Sequence, residues 1–459
     1  MTTTLVGTLE FASKYRYGLT SRGAPLYLFT PYDESWPPLI VGSTERDTSR
    51  NQIAIVEAHV SALSDPSTLQ KPRGNLIRLL GPVGDKLSEI TGLLQHYCPD
   101  KQTRIFTDAD ESHDADRIEL STATGWTVFH VDPPGCRDID DAIAFHATTG
   151  QMAITIADAA AVVPIGSIVD DTAKAIGATF YDLEGRVVKS MLPPSISEES
   201  ASLLPGTKRR GVSLILNADG TVSRWALSWI TVAESYTYDN FMTSKTAAAL
   251  QVTMDPHDWI ANKMIRYNAE AAALLRATGH GLLRVQPTAD AAEVASWTAI
   301  DPTLARLAHE AATYESVDST KEQGHASLDL SAYCHASSPI RRYADLVNQR
   351  ILKGRITGTA TGTATETIVN HLNSRTKANR RWTRDLTFLH HVVPGRVYEI
   401  DVVWVSTDQV WVPTWSRLLR LRHDETHPTG TRGRIQIFCD PTRRNWRRRI
   451  LTGPIVDDV

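Results

Sequence analysis

Along residues 5–60 short apolar runs alternate with turn-forming clusters. The runs 5–10, 25–29, 39–42 and 53–60 are separated by Gly, Pro, Asp and Ser. Runs this short at even spacing predict a small β-barrel of the oligonucleotide-binding (OB) or cold-shock kind, with a β-sandwich as the alternative. From 84 to 97 the apolar positions recur at three- and four-residue steps, which predicts a helical connector. Residues 1–115 are thus read as an N-terminal β domain. From 116 to 393 the pattern is mixed. Strands are predicted at 126–131, 152–157 and 211–216, and helices at 258–278, 289–313, 340–353 and 366–391, with the Gly/Thr-rich run 354–365 as a loop. Residues 394–459 return to short runs, at 397–405, 409–413, 418–422, 435–439 and 448–451, which predict a second five-stranded OB-like domain. The fold class is α+β: a central mixed α/β domain flanked by small all-β barrels at both ends.

Composition narrows the classes. A chain of 459 residues suggests about three domains at roughly 150 residues each. With 42% hydrophobic and 22% charged residues the chain is not largely disordered. No apolar run approaches the ~20 residues of a spanning helix, and the first 22 residues lack a signal-peptide or transit pattern, so no membrane partner is expected. Cys98, Cys136, Cys334 and Cys439 form no CxxC pair, which argues against a disulfide scaffold or a structural zinc site and for a reducing, cytoplasmic setting.

Net charge, −4, points to no partner by itself. Between 417 and 449, however, ten arginines, Arg417 and Arg434 among them, face only Asp424, Glu425 and Asp440. A solvated face is one reading. The other is a surface that tracks phosphates, since arginine pairs bidentately with phosphate oxygens, and Trp404, Trp411, Trp415 and Trp446 are interleaved where they could stack on bases.

The sharpest local signal is Phe129-His-Val-Asp-Pro-Pro-Gly-Cys-Arg-Asp-Ile-Asp-Asp-Ala-Ile. It places Asp132, Asp138, Asp140 and Asp141 within ten residues, between two apolar runs. Carboxylates so crowded repel one another unless cations neutralise them, and hard divalent ions such as Mg²⁺ prefer oxygen ligands. Pro133, Pro134 and Gly135 are expected to fold the loop back and bring Asp132 near the later three. Two ions there could activate water and stabilise the leaving oxygen of a phosphodiester. An Asp-rich surface turn is the alternative; an EF-hand loop is a poor fit, because the glycine is misplaced and Ile143 stands where a bidentate Glu is needed. Cys136, beside the acids, reads as a bystander thiol.

A second constellation lies two hundred residues on: His335-Ala-Ser-Ser-Pro-Ile-Arg-Arg-Tyr-Ala-Asp-Leu. Ser337 or Ser338 is expected to cap a helix starting at Pro339, whose free N–H groups would suit an anion. Arg341 and Arg342 would then sit in the first turn, against the helix dipole, which makes sense if a phosphate or the Asp cluster compensates them.

Together these segments resemble the RNB family of exoribonucleases, the ribonuclease II and ribonuclease R group. The resemblance rests on the Asp132-x5-Asp138-x-Asp140-Asp141 loop, on Ile156-Ala-Asp158, Gly166-Ser167, Met191-Leu-Pro193 and Ser202-Leu203, and on His325 to Tyr333 leading into Ser338-Pro-Ile-Arg-Arg-Tyr-Ala-Asp-Leu346. It covers residues 120–395. It implies 3′→5′ hydrolysis of single-stranded RNA to nucleoside 5′-monophosphates with Mg²⁺, for which Mn²⁺ could substitute. Asp132, Asp138 and Asp141 would hold one ion, and Asp140 would serve the second ion or its water. Arg341 would contact the scissile phosphate and Tyr181 would stack on the 3′-terminal bases. Ser338, Arg342, Arg417 and Arg434 complete the expected RNA contacts. The chain departs from the family at Ala336-Ser337, at Gln349, and at Lys377, Asn379 and Arg380, where a ribose-gripping Glu is often found.

Overall fold

The computed structural model describes residues 2–59, 71–98, 112–318, 320–359, 364–392, 396–421, 427–439 and 450–456. The chain divides into two compact units: one of 1–100, 291–308 and 380–459, the other of 101–290 and 309–379.

In the first unit, strands β1 (Thr2–Leu9), β2 (Leu26–Pro31), β3 (Leu39–Gly42), β4 (Gln52–His59) and β5 (Arg73–Pro82) close a barrel in the order β1-β2-β3-β5-β4. Its interior is filled by Leu9, Phe29, Leu39, Val41, Ala54 and Val56, each sealed from solvent. Helix α1 (Lys86–Tyr97) follows, capped by the Asp85 carboxylate, which accepts from the Ser88 N–H at 2.9 Å. Near the other end of the chain β17 (Val397–Ser406), β18 (Gln409–Val412), β19 (Arg417–Arg420), β20 (Arg432–Cys439) and β21 (Ile450–Val456) form a five-stranded antiparallel sheet in the order β19-β18-β17-β20-β21. The OB-like reading of both ends holds.

Two expectations for this unit are corrected. Trp404 and Trp411 are at most 1% exposed, so they pack the core rather than stack on bases; the Trp411 indole N–H donates to Thr303 Oγ at 2.8 Å. Trp415 lies against the His391 ring at 5.3 Å between centroids. The helix predicted over 289–313 ends early: α6 covers Ala291–Ile300 and a 3₁₀ turn follows. Pro302 disfavours helical geometry at the preceding residue, and Asp301 turns to accept from the Thr303 N–H and hydroxyl.

The second unit is built on a seven-stranded sheet in the order β14-β7-β8-β9-β12-β13-β6. Its strands are β6 (Ile118–Leu120), β7 (Trp126–Val131), β8 (Asp141–His146), β9 (Met152–Ala157), β12 (Lys208–Leu216), β13 (Val222–Thr231) and β14 (Glu234–Tyr236). The middle of the sheet is antiparallel, while β14 on β7 and β6 on β13 run parallel. A small hairpin, β10 (Phe180–Tyr181) and β11 (Val187–Lys189), is inserted in the chain between β9 and β12 and forms a separate two-stranded sheet. Helices α5 (Pro256–Thr278) and α7 (Tyr343–Thr357) supply Tyr267, Ala271, Leu275, Ile351 and Leu352 to the same core as Phe129, Ile143, Ile154 and Leu214. Strand β9 is buried on both faces, which is why it reads as a continuous apolar run. Helix α8 (Glu366–His391) spans the predicted range.

Two details of α7 differ from expectation. The helix begins at Tyr343, not at Pro339, because Arg342 is extended and bridges to Ala178. Arg341 and Arg342 therefore precede the helix and escape its unfavourable dipole. At the other end the helix runs through Gly354 and stops at Gly358, whose φ of 71° suits a residue without Cβ. The connector begins there.

Candidate active site

The site grows from the turn between β7 and β8. Strand β7 ends at Val131 and the chain must reverse to pair antiparallel, Phe129 opposite Ile143. Gly135 makes this possible with a φ of 79°. Asp132 leaves the end of β7 and Asp141 opens β8, so the reversal gathers the acids at one end of the sheet. All four line a cleft of about 730 Å³, together with Tyr181 from the hairpin and Arg341 from the segment before α7.

Each acid has its own environment. The Asp132 carboxylate lies 2.8 Å from His130 Nδ1. Asp138 accepts from the Tyr181 hydroxyl at 3.2 Å and from the Cys136 thiol at 3.4 Å. Asp140 is 3% exposed and accepts from the Ile340 N–H at 3.0 Å and from Arg341 Nε at 2.8 Å. Burial pushes its carboxyl up to about 7, although Arg341 and the Ile340 N–H oppose this. Asp141 is raised well above the ordinary carboxyl range, by burial first and then by the charges of Asp132 and Asp140. Two acids here are thus held against their preferred ionised state. Burial disfavours the charged form of Arg341, but Asp140 outweighs it and the guanidinium is held protonated.

The surroundings sort the remaining expectations. Ser338 is buried; its Oγ accepts from Arg341 Nη2 at 3.0 Å and its N–H donates to Asp345 at 2.8 Å. Ser338 thereby aims Arg341. Arg342 points elsewhere, donating to Asp345 at 2.8 Å, and is not among the residues lining the cleft. His335 packs between Tyr314 and Tyr333, with the Tyr314 hydroxyl 2.7 Å from Nδ1. Gln349 ties backbone together: its amide donates to the Ala157 carbonyl at 2.7 Å and accepts from the Ala160 N–H at 3.0 Å. The Cys136 thiol is pushed up by burial and by Asp132 and Asp138, which suits a bystander and not a nucleophile.

Arg417 and Arg434 belong to the other unit. Arg417 sits over the Phe388 ring at 4.4 Å and donates to the Arg384 carbonyl at 2.8 Å, and Arg434 pairs with Asp401 at 3.2 Å. Arg422, Arg443, Arg444, Arg447, Arg448 and Arg449, with Trp446, lie outside the described residues.

Two wall residues escaped the sequence reading. Tyr238 and His257 stack in parallel, 3.6 Å between centroids, and both line the cleft. Burial, Asp132 and Asp141 push the Tyr238 phenol up to about 12. The Thr-Tyr-Asp-Asn and Asp-Pro-His stretches that carry them look like ordinary helix starts, so nothing local marks them.

Among the described residues no three His, Cys, Asp or Glu side chains converge closely enough to enclose a metal as placed. The donor chemistry nevertheless suits one: the acids offer only oxygen, and Asp141 is raised by burial and then by the charges of Asp132 and Asp140, an imbalance that a hard divalent cation relieves.

The RNB-domain model matches residues 120–246 and 244–358, and the chain belongs to the RNB family. Human exosome complex exonuclease RRP44 is 28% identical over 232 residues, 46% of this chain and 23% of that protein. Exoribonuclease 2 of Salmonella paratyphi B is 26% identical over 362 residues, 59% of this chain and 56% of the relative. The matches therefore span about half of exoribonuclease 2 and about a quarter of RRP44. In fold, the apo form of Mycoplasma genitalium RNase R superposes with a TM-score of 0.70 at 15% identity, covering 98% of this chain and 89% of that one. Yeast Ssd1, a pseudonuclease, gives 0.69 at 17% identity over 95% of this chain and 67% of its own.

Proposed function

We propose that this chain is a divalent-metal-dependent 3′→5′ exoribonuclease that hydrolyses single-stranded RNA to nucleoside 5′-monophosphates. The observation that carries the reading is the convergence of all four aspartates and Arg341 on one cleft, with Asp140 and Asp141 held above their ordinary carboxyl range. Perturbed acids gathered in a cleft mark a working site more often than a structural one. Asp132, Asp138 and Asp141 would hold Mg²⁺, with Mn²⁺ as a substitute, and Asp140 would serve a second ion. Bound there, the metal supplies an activated water and neutralises charge on the phosphate.

The protein's own groups do the rest. Arg341, aimed by Ser338 and Asp140, would meet the scissile phosphate and stabilise its developing charge. Tyr181, its hydroxyl on Asp138, would offer its ring to the 3′-terminal base, a contact that tolerates any sequence. The OB-like domains, with Arg417 and Arg434, would add contacts to the RNA backbone, and a cytoplasmic setting fits such a substrate. Structures of Mycoplasma genitalium RNase R with double-stranded RNA and with ribose-methylated single-stranded RNA support RNA as the ligand.

The second reading is a catalytically silent RNA binder on the same fold, which the likeness to the pseudonuclease Ssd1 favours. Four clustered carboxylates count against it, because a pure binder gains nothing from negative charge beside phosphates. Degradation of 5′-labelled single-stranded RNA with Mg²⁺ separates the two. Stepwise shortening from the 3′ end with release of 5′-monophosphates is expected; salt-dependent binding without release selects the silent binder, and equal turnover of a matched DNA strand widens the substrate class.

A further inference from the structure

Asp132 differs from the other acids in what stands behind it. Its N–H donates to the Tyr236 carbonyl of β14 at 3.0 Å, and its carboxylate Oδ2 lies 2.8 Å from His130 Nδ1. His130 is 5% exposed and is absent from the cleft lining, whereas Asp132 lines it, so the imidazole approaches the carboxylate from the protein side. The far nitrogen, Nε2, lies 2.9 Å from the hydroxyl of Ser235. His130 and Ser235 are register partners on the parallel pair β7 and β14.

We propose that His130 is a positioning residue that holds Asp132 for metal binding, with Ser235 fixing the orientation of its ring. This rests on the metal-dependent reading above. A carboxylate that binds a cation only accepts, so Nδ1 is the donor to Asp132, and Nε2 meets the Ser235 hydroxyl. The chain Ser235 to His130 to Asp132 thus sets the direction of Oδ2. That restraint matters because Asp132 faces the charge of Asp141 and would otherwise swing away from it. Partners of this kind behind metal-binding carboxylates typically change metal affinity by about 10–100-fold.

The same connectivity, hydroxyl on Nε2 and carboxylate on Nδ1, is that of a nucleophilic serine triad. Ser235, however, is exposed on strand β14 and does not line the cleft where the acids and Arg341 gather. Positioning is the reading that uses the cleft.

The test is binding of Mn²⁺ alone to the full chain, by calorimetry or electron paramagnetic resonance, with circular dichroism as a check on folding. His130→Leu should weaken Mn²⁺ binding by about 10–100-fold. His130→Asn, whose amide N–H can stand where Nδ1–H stood, should recover most of that loss. Ser235→Ala, at an exposed position, should fold normally and show a smaller loss in the same direction. Wild-type affinity in His130→Leu, or an Asn variant as weak as Leu, overturns the proposal; should His130→Leu not fold, undiminished binding in Ser235→Ala together with a weak Asn variant does so. Labelling of Ser235 by a fluorophosphonate also overturns it, in favour of a nucleophilic serine. If the wild-type chain binds no Mn²⁺, the metal-dependent reading falls as well, which separates that failure from this one.

Discussion

Two groups of buried aspartates in one unit meet opposite fates. Asp158 is 2% exposed, yet Lys353 Nζ lies 2.8 Å from one oxygen and Arg117 Nη2 lies 2.7 Å from the other. Burial alone would raise its carboxyl, but the two cations outweigh it and the group is held below its usual range. Burial pushes Asp140 up to about 7 against its one cation, Arg341, and raises Asp141 well above the ordinary range together with the charges of Asp132 and Asp140. The fold therefore gives one structural anion two cations and gives the crowded acids of the cleft Arg341 alone at ion-pair distance. A cation arriving with metal or substrate is what the cleft lacks, and that contrast is why the acids read as a site and Asp158 as a strut.

The comparison can be broken most sharply by removing one carboxylate from each group. Asp140→Asn should lower RNA hydrolysis on the order of 10³-fold while leaving RNA binding close to wild type and the denaturation midpoint at pH 8 no lower than wild type. Asp158→Asn should do the reverse. It strands Lys353 in the interior, leaves Arg117 with Asp114 as its remaining carboxylate, and should cost about 3–4 kcal/mol in urea denaturation. Equal loss of stability in both variants would erase the distinction between strut and site.

The pH dependence sharpens the contrast because the two signs differ. Asp140 has a folded pKa above its unfolded one, so the metal-free protein binds that proton more tightly when folded. Its stabilising effect is fully present near pH 4 and is lost as pH rises towards about 7. Asp158 is lowered, so its contribution is present above about pH 4 and is lost as pH falls through the depressed value. Chelator-treated wild type should thus lose roughly 2–4 kcal/mol relative to Asp140→Asn between about pH 5 and 8. Wild type should gain on Asp158→Asn over the acid limb. Urea midpoints at several pH values read both.

A smaller effect is expected from Arg341→Lys. Lysine keeps the charge but cannot reach Asp140 through Nε and Ser338 through Nη2 at once. Hydrolysis should fall roughly 10–100-fold with less change in RNA affinity, as steady-state kinetics would show.

Much of the fold was legible because its signals are local. Residues 258–278 read as a helix from three- and four-residue steps, and the short strands at both ends read from evenly spaced turns. The four aspartates stood out because they lie within ten residues on a loop that Gly135 and two prolines must fold back. The start of α7 was misjudged because Ser338 and Pro339 carry a good capping signal, while the bridge from Arg342 to Ala178 is long-range. Arg342 was grouped with Arg341 by adjacency, although Asp345 turns it away. Trp404 and Trp411 looked like base-stacking partners beside arginines until burial placed them in a core.

Sequence alone determined the acidic loop, the Ser338 to Leu346 stretch and the α+β plan, since spacing and periodicity along the chain record these, and the family resemblance rests on the residues of those two motifs. Tertiary structure decided which residues share the cleft. Tyr238, His257 and Arg341 reach it from segments about 100 to 200 positions away, and Ser235 meets His130 only because β14 returns beside β7. The charge state of each acid was likewise a tertiary outcome: desolvation and neighbouring charge act through space, and identical Asp side chains at 140 and 158 are driven in opposite directions by what the fold packs around them.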